Sequence, residues 1–312
     1  MLIIGDESKS NGKIPWVTFC LIGLNILVFC AQVLVGPSLM LGFSLIPKEI
    51  TTLTDLTKPE RVRAKVPTRV RGMNGKFQTS YRDVSFTVPQ APGPYPIFLT
   101  LVTSMFLHGS WGHLAGNMWF LAIFGRNVEC ALNHGRFLAF YVCCGVASGL
   151  VYTMTDASSV IPCVGASGAI SGVLGAYVAI HPLNPISIWV SFVSILCGFW
   201  CGVIKVPAII VVGLWFIFQY VAAFLTLEYG GTNAGGTAYW AHIGGFLAGI
   251  AIIRGTVAYL KWKMANEPRD DDAALASEHQ EVGMAENPFD NFLPPSKAVH
   301  GVETTAEHKA PT

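Results

Sequence analysis

Apolar residues in this chain fall into runs long enough to cross a lipid bilayer. A helix needs about 20 mainly apolar residues to span the ~30 Å hydrocarbon layer. The pattern predicts six spans, at about 16–35, 112–128, 137–154, 167–180, 207–227 and 239–260. The first, Trp16 to Val35, can cross alone and reads as a retained helix rather than a cleaved leader. A long extramembrane loop, 47–96, separates the first two spans. It sets a β-like stretch, Val84 to Val88, among Pro and Gly and ends in a proline-rich run from Pro89 to Pro96. The run 186–204 is uncharged and long enough to cross, but it alternates with period two and is interrupted by Gly198 and Gly202. It is expected to form a membrane-associated hairpin. The fourth and sixth spans must start on one face if their polar residues are to meet, and 207–227 already supplies the one crossing between them.

The organisation expected is therefore a cytoplasmic segment at 1–15, a membrane domain at 16–264, and a tail at 265–312. The tail holds ten acidic residues against three basic ones, too polar to bury a core, and is expected to be disordered and cytoplasmic. The fold class expected is an all-α membrane protein, a six-helix bundle with the long loop between helices 1 and 2.

Composition agrees with the runs. Of 312 residues, 52% are hydrophobic and 12% charged, against about 25% charged in soluble domains. A net charge of +1 gives no footing for nucleic acid as a partner; the partner implied is the lipid bilayer. The eight cysteines form no CxxC or Cys/His metal spacing and read as small hydrophobes. Lys and Arg flank the first span and follow the second and sixth, while 155–166 and 228–238 carry none. This bias predicts both termini in the cytoplasm. The 47–96 loop, with nine basic residues, then lies outside against the bias, although long loops translocate largely regardless of charge. The membrane expected is the inner membrane of a bacterial cell.

Three short stretches carry candidate chemistry. In Gly165-Ala-Ser167-Gly168 a serine opens an apolar helix, where free N–H groups can hold a developing oxyanion. Gly168, Ser171, Gly172, Gly175 and Ala179 recur behind it at helical spacing, a stripe that lets another helix approach closely. A capping serine above a packing face is the alternative. In the second stretch, His242 follows Tyr239 and Trp240, which suit the membrane interface, and shares a helix face with Gly245 and Gly249. An ionisable residue inside a span marks function by default; a histidine bonded to nearby backbone is the alternative. Face-on-face packing of these two glycine-rich helices would bring the Ser167 hydroxyl to a base, as nucleophilic catalysis requires. The third stretch holds His108, His113 and Asn117. His113 and Asn117 stand i, i+4 on one face and can donate to an oxyanion, and His108, in the lead-in loop, reads as structural. Zinc ligation is the rival for these histidines, with no carboxylate or cysteine to complete a set. Asn25 and Gln219 read as glue between helices, and His134 and His181 receive no role.

Taken in order, His108-x4-His113-x3-Asn117, Gly125-Arg-Asn-Val-Glu129, Gly165-Ala-Ser167-Gly168 and Ala241-His242-x2-Gly245-x3-Gly249 resemble the rhomboid intramembrane serine proteases over about residues 95–260. The resemblance implies a six-helix core and a Ser–His dyad without a third acid, with Ser167 as nucleophile and His242 as base. It implies an oxyanion hole from His113, Asn117 and the Ser167 amide, and structural roles for Gly125 and Glu129 at the end of the second span. It implies single-pass or multi-pass membrane proteins as substrates, cut near the membrane surface, and no cofactor or metal. Three features depart from the family pattern. No Trp-Arg pair occurs in the 47–96 loop. The 186–204 run lengthens the usual connection. Ser171 stands where some members carry a tyrosine that stacks on the catalytic histidine, so His242 must be oriented by other packing. An inactive family relative that holds membrane clients, or a transporter, are the rival functions.

Overall fold

A computed structural model describes residues 2–6, 14–71, 77–194, 198–228 and 238–266. The chain divides into two units, Met1–Thr256 and Val257–Thr312. Of the second, the described part is the end of the last helix.

The chain opens with strand β1 (Leu2–Asp6) and helix α1 (Trp16–Val35), then two short helices, α2 (Pro37–Phe43) and α3 (Pro47–Thr52), each with proline in its first turn. Strands β2 (Glu60–Arg71) and β3 (Phe77–Val88) pair antiparallel, from Glu60 opposite Val88 to Arg71 opposite Phe77. Next comes a short apolar helical stretch, Ile97–Phe106, centred on α4 (Thr100–Thr103). Helix α5 (Trp111–Phe120) continues through a π-helical turn, Leu121–Gly125, into α6 (Arg126–Leu132). Helices α7 (His134–Thr155) and α8 (Ser167–Ile180), strands β4 (Pro185–Ser194) and β5 (Gly198–Pro207), and helices α9 (Ala208–Glu228) and α10 (Tyr239–Asn266) complete the order.

The protein is mostly helical and membrane-embedded. Among the described residues, four helices are long and apolar enough to cross a bilayer: α1, α7, the Ala208–Leu225 part of α9, and α10. Ile97–Phe106 and α8 are apolar but shorter. Helix α8 is the centre of the bundle, with every residue from Gly168 to Tyr177 buried. Helix α9 is the opposite case. Leu214, Ile217, Phe218 and Val221 are exposed on it, as expected of side chains that face lipid tails.

The second predicted span, 112–128, is thus one rod in three pieces, and it extends to Leu132. Its far end is tied to α1 by one carboxylate. Glu129, 1% exposed, accepts from the Val17 and Thr18 amides at 2.9 and 2.7 Å and from the Thr18 hydroxyl at 2.6 Å. The first turn of a helix has free N–H groups and a partial positive charge, and Pro15 cannot cap it with a side chain. Glu129 fills that place from another helix. His134, given no role above, pairs with the same carboxylate. Gly125 sits one turn earlier, its Cα facing Thr18.

The expectation of an all-α fold needs correction, since five strands are described. Residues 186–204 lie in an antiparallel pair, β4 with β5, from Pro185 opposite Pro207 to Ser194 opposite Gly198. The 1–15 segment adds a third strand, because β1 pairs with β4. Trp119 Nε1 donates to the Ile3 carbonyl and Asn127 to Asp6, fixing β1 beside the α5–α6 rod. A five-residue strand whose partner lies some 180 residues away leaves no local trace in the sequence. The last helix passes the 264/265 boundary to Asn266; the rest of the predicted tail, 267–312, lies outside the described residues, as do 229–237 of the loop before α10.

Candidate active site

Ser167 is the first residue of α8. The fourteen residues of α8 rise about 21 Å, roughly 9 Å less than the hydrocarbon layer. Ser167, at its N-terminus, borders a cleft. The lead-in loop is held from both sides. Leu45 and Cys163 exchange two backbone hydrogen bonds, at 3.0 and 2.8 Å, Gln90 Nε2 donates to the Val160 carbonyl, and the Gly165 amide donates to the Ser104 carbonyl at 2.9 Å. Gly165 has φ of +128°, and a Cβ there would stand 2.8 Å from the His113 ring. A side chain is excluded twice over, by backbone conformation and by the imidazole that occupies its place. The Ser167 Oγ lies 3.6 Å from the same point, so His113 and Ser167 flank Gly165 together.

Helix α10 brings His242 to this point through glycines. A Cβ on Gly245 would come within 2.0 Å of the Gly168 carbonyl oxygen, and one on Gly249 within 2.0 Å of the Gly172 carbonyl oxygen. The two backbones are therefore in direct contact, with no side chain between them. One turn before Gly245, His242 Nε2 lies 2.8 Å from Ser167 Oγ. Behind α8, Gly168 and Gly172 accommodate Ser148 and Cys144 of α7 in the same way.

His113 and Asn117 are on α5, whose N-cap is Ser110, accepting from the His113 amide at 3.1 Å. Asn117 Nδ2 donates to His108 Nε2 at 2.9 Å. An amide has two N–H groups, so one holds the side chain in place and the other remains for a ligand. His108 is 1% exposed and is itself clamped, because Gln32 of α1 accepts from its amide at 3.0 Å and donates to its carbonyl at 3.1 Å. The residue read as structural is thus the one that orients Asn117.

Two residues of α9 reach His242. Gln219 Oε1 accepts from His242 Nδ1 at 2.8 Å, and the Trp215 ring lies beside the imidazole, centroids 6.2 Å apart and planes at 32°. Sequence reading assigned Gln219 to interhelical glue and passed over Trp215. A polar residue on an otherwise apolar helix was the available signal, but without a partner in view it pointed nowhere. Asn25, grouped with Gln219 on the same ground, instead donates to the Leu21 carbonyl of its own helix. Among the described residues, no three of His, Cys, Asp and Glu gather as metal ligands would.

Ser167, His242, His113, Asn117 and Trp215 line one cleft of about 780 Å³, which Met105 and Ser148 also border. It combines a hydroxyl on a bare imidazole nitrogen, amide and imidazole donors beside it, and a helix N-terminus below. That set can attack a carbonyl and hold the resulting oxyanion.

Comparison with known proteins agrees with this architecture. Over 76 residues the chain is 40% identical to RHOMBOID-like protein 5 of Arabidopsis thaliana, covering 24% of this chain and 25% of the relative. Over 87 residues it is 37% identical to Rhomboid-like protein 11, chloroplastic, of the same plant, covering 28% and 30%. The match thus spans less than a third of either relative's length. Residues 97–259 match the Rhomboid domain as a family. That range, more than half the chain, runs from the stretch before α4 into α10 and takes in Ser167, His242, His113, Asn117, Trp215 and Gln219, and the chain belongs to the rhomboid family.

Proposed function

We propose that this protein is an intramembrane serine endopeptidase that cuts transmembrane segments of other membrane proteins. The observation that carries the reading is the 2.8 Å contact between Ser167 Oγ and His242 Nε2 in a cleft inside an apolar bundle. Ser167 attacks the scissile carbonyl while its proton passes to His242 Nε2. The oxyanion of the tetrahedral adduct accepts hydrogen bonds from the Ser167 amide, His113 and the free N–H of Asn117. Collapse of the adduct breaks the C–N bond, and the imidazolium returns its proton to the leaving amine. Water entering from the open side of the cleft then attacks the acyl ester, with His242 again as base. The substrate helix must unwind at the cut, because a helical amide is shielded by its own hydrogen bonds.

Six crossings, counting the Ile97–Leu132 region and short α8 with the four long helices, would put both termini on one face. The loop charges favour the cytoplasmic one, with 47–96 on the outside and the acidic 265–312 segment as a cytoplasmic tail. Both relatives come from a plant and give the expectation of a bacterial inner membrane no support.

The test uses purified protein, a reporter with one transmembrane segment and a fluorophosphonate probe. Wild type should cleave the reporter and take up the probe, and Ser167→Ala should do neither. Equal cleavage by Ser167→Ala overturns the assignment. Absence of cleavage and labelling in the wild type would favour an inactive client-holding relative.

A further inference from the structure

We infer that Gln219 is a positioning residue for the base: its carbonyl oxygen fixes the His242 tautomer in which Nε2 is free to take the Ser167 proton. This rests on the proteolytic reading above and adds a third side chain, from α9, to the serine and histidine.

Neutral imidazole carries one N–H, at either nitrogen. With the proton on Nε2, His242 would donate to Ser167 Oγ and could not act as its base. With the proton on Nδ1, Nε2 offers a lone pair to the hydroxyl. An amide oxygen can only accept, so Oε1 at 2.8 Å from Nδ1 selects the second form. Burial adds weight to the contact. Gln219 is 5% exposed on a helix whose neighbouring positions Phe218, Tyr220 and Val221 are open. Val212, Gln219 and Ala223, all buried, mark the stripe of α9 that faces the bundle. A primary amide turned into that stripe costs free energy unless it is bonded, and the imidazole is its bonded partner.

Trp215 stands one helical turn before Gln219 and lies beside the same ring, tilted to it. Two residues of α9 therefore contact the imidazole, while the Ser171 hydroxyl of α8 donates to the Ser167 carbonyl. As the Ser167 proton arrives, the ring becomes cationic and Nδ1–H a stronger donor to the amide oxygen. The amide stabilises that charge by its dipole alone. Among the described residues, the ionisable group acting on His242 is His113 of α5.

Three variants and one spectroscopic measurement test this. Active sites are counted with the fluorophosphonate probe, and rates are expressed per site across pH 5 to 9. Gln219→Met keeps the volume and removes the acceptor; kcat should fall about 10–10²-fold with KM little changed. Gln219→Glu restores an acceptor with negative charge; it should be more active than Gln219→Met at high pH, with the acid limb of its pH profile moved to higher pH. A purely structural role predicts the reverse order, since a buried carboxylate disturbs packing more than a thioether, and no movement of the acid limb. Imidazole 15N shifts, with the His242 signals identified by their loss in His242→Asn, should report Nδ1–H in the wild type and a changed tautomer ratio in Gln219→Met. The inference is overturned by Gln219→Met rates within twofold of wild type, by Gln219→Glu weaker than Gln219→Met at every pH, or by Nε2–H in the wild type. Failure of proteolysis itself would appear separately, as cleavage that survives Ser167→Ala.

Discussion

Replacing Gly245 by alanine tests whether backbone contact between α8 and α10 sets the catalytic geometry. The added Cβ would stand 2.0 Å from the Gly168 carbonyl oxygen and 2.9 Å from its carbon. Ordinary contact begins near 3.4 Å, so the helices must part by about 1.4 Å at this point or bend by as much. The obstructing atom is backbone, which cannot rotate aside as a side chain would. Gly168 adjoins Ser167, and His242 lies one turn from Gly245, so the displacement reaches the 2.8 Å Ser167–His242 contact almost undiminished. Stretched by that amount the pair is beyond hydrogen-bond reach. Overpacking of this kind costs roughly 1–3 kcal/mol of stability, and a 1 Å misplacement in an active site costs about 10² in rate. The assay is the initial cleavage rate of a transmembrane reporter per folded molecule, with thermal unfolding measured on the same samples. Gly255→Ala is the control on the same helix, where nothing lies within 4 Å of the new atom; it should keep full activity and gain up to about 1 kcal/mol from helix propensity. Gly245→Ala activity within threefold of wild type, or equal damage from Gly255→Ala, refutes the reasoning.

Asn117→Ala should lower kcat by about 10²–10³-fold, and His108→Phe should produce part of that loss by removing the acceptor that orients Asn117; a normal rate in Asn117→Ala removes it from the site. Glu129→Ala strips the acceptor from two α1 amides and the Thr18 hydroxyl and should destabilise the fold by on the order of 3 kcal/mol, read by denaturant unfolding; a change under about 0.5 kcal/mol would show the first turn of α1 finding other partners. Burial on α3, outside the spans, raises the Glu49 carboxyl from 4.5 to about 7, with Asp55 adding to the rise and the Leu56 amide opposing it. The folded state then holds this proton more tightly than the unfolded chain. The stabilisation is present below pH 4.5 and is lost as pH rises through about 7. Glu49→Gln should therefore match wild type in Tm near pH 5 and exceed it at pH 8, and parallel Tm curves would contradict the assignment.

Much of the bundle was legible along the chain because the bilayer restricts the choices. Backbone groups in hydrocarbon must bond internally, so an uncharged run such as Trp16–Val35 or Ala208–Leu225 has little alternative to helix. The site was half legible for a related reason. Ser167, His113, Asn117 and His242 stand out as polar residues in small-residue or apolar surroundings, and the glycines after Ser167 and His242 announce close helix contact before any coordinates. The alternation in 186–204 marked extended chain where β4 and β5 run.

Other features depend on which surfaces meet. The β1–β4 pairing, the Glu129 clamp on α1 and the Gln32 clamp on His108 each join residues separated by 76 to some 190 positions, and no local pattern encodes a partner that far away. Gln219 shows the limit most clearly. Its amide looks the same in sequence whichever side chain of a neighbouring helix it meets, and only the fold sets it against the His242 imidazole. Periodicity, apolar length and the chemistry of single side chains belong to the sequence by itself. The 2.8 Å contacts that join an amide, an imidazole and a hydroxyl arise only when α8, α9 and α10 close on one another, because short-range interactions act between atoms brought together, whatever their distance along the chain.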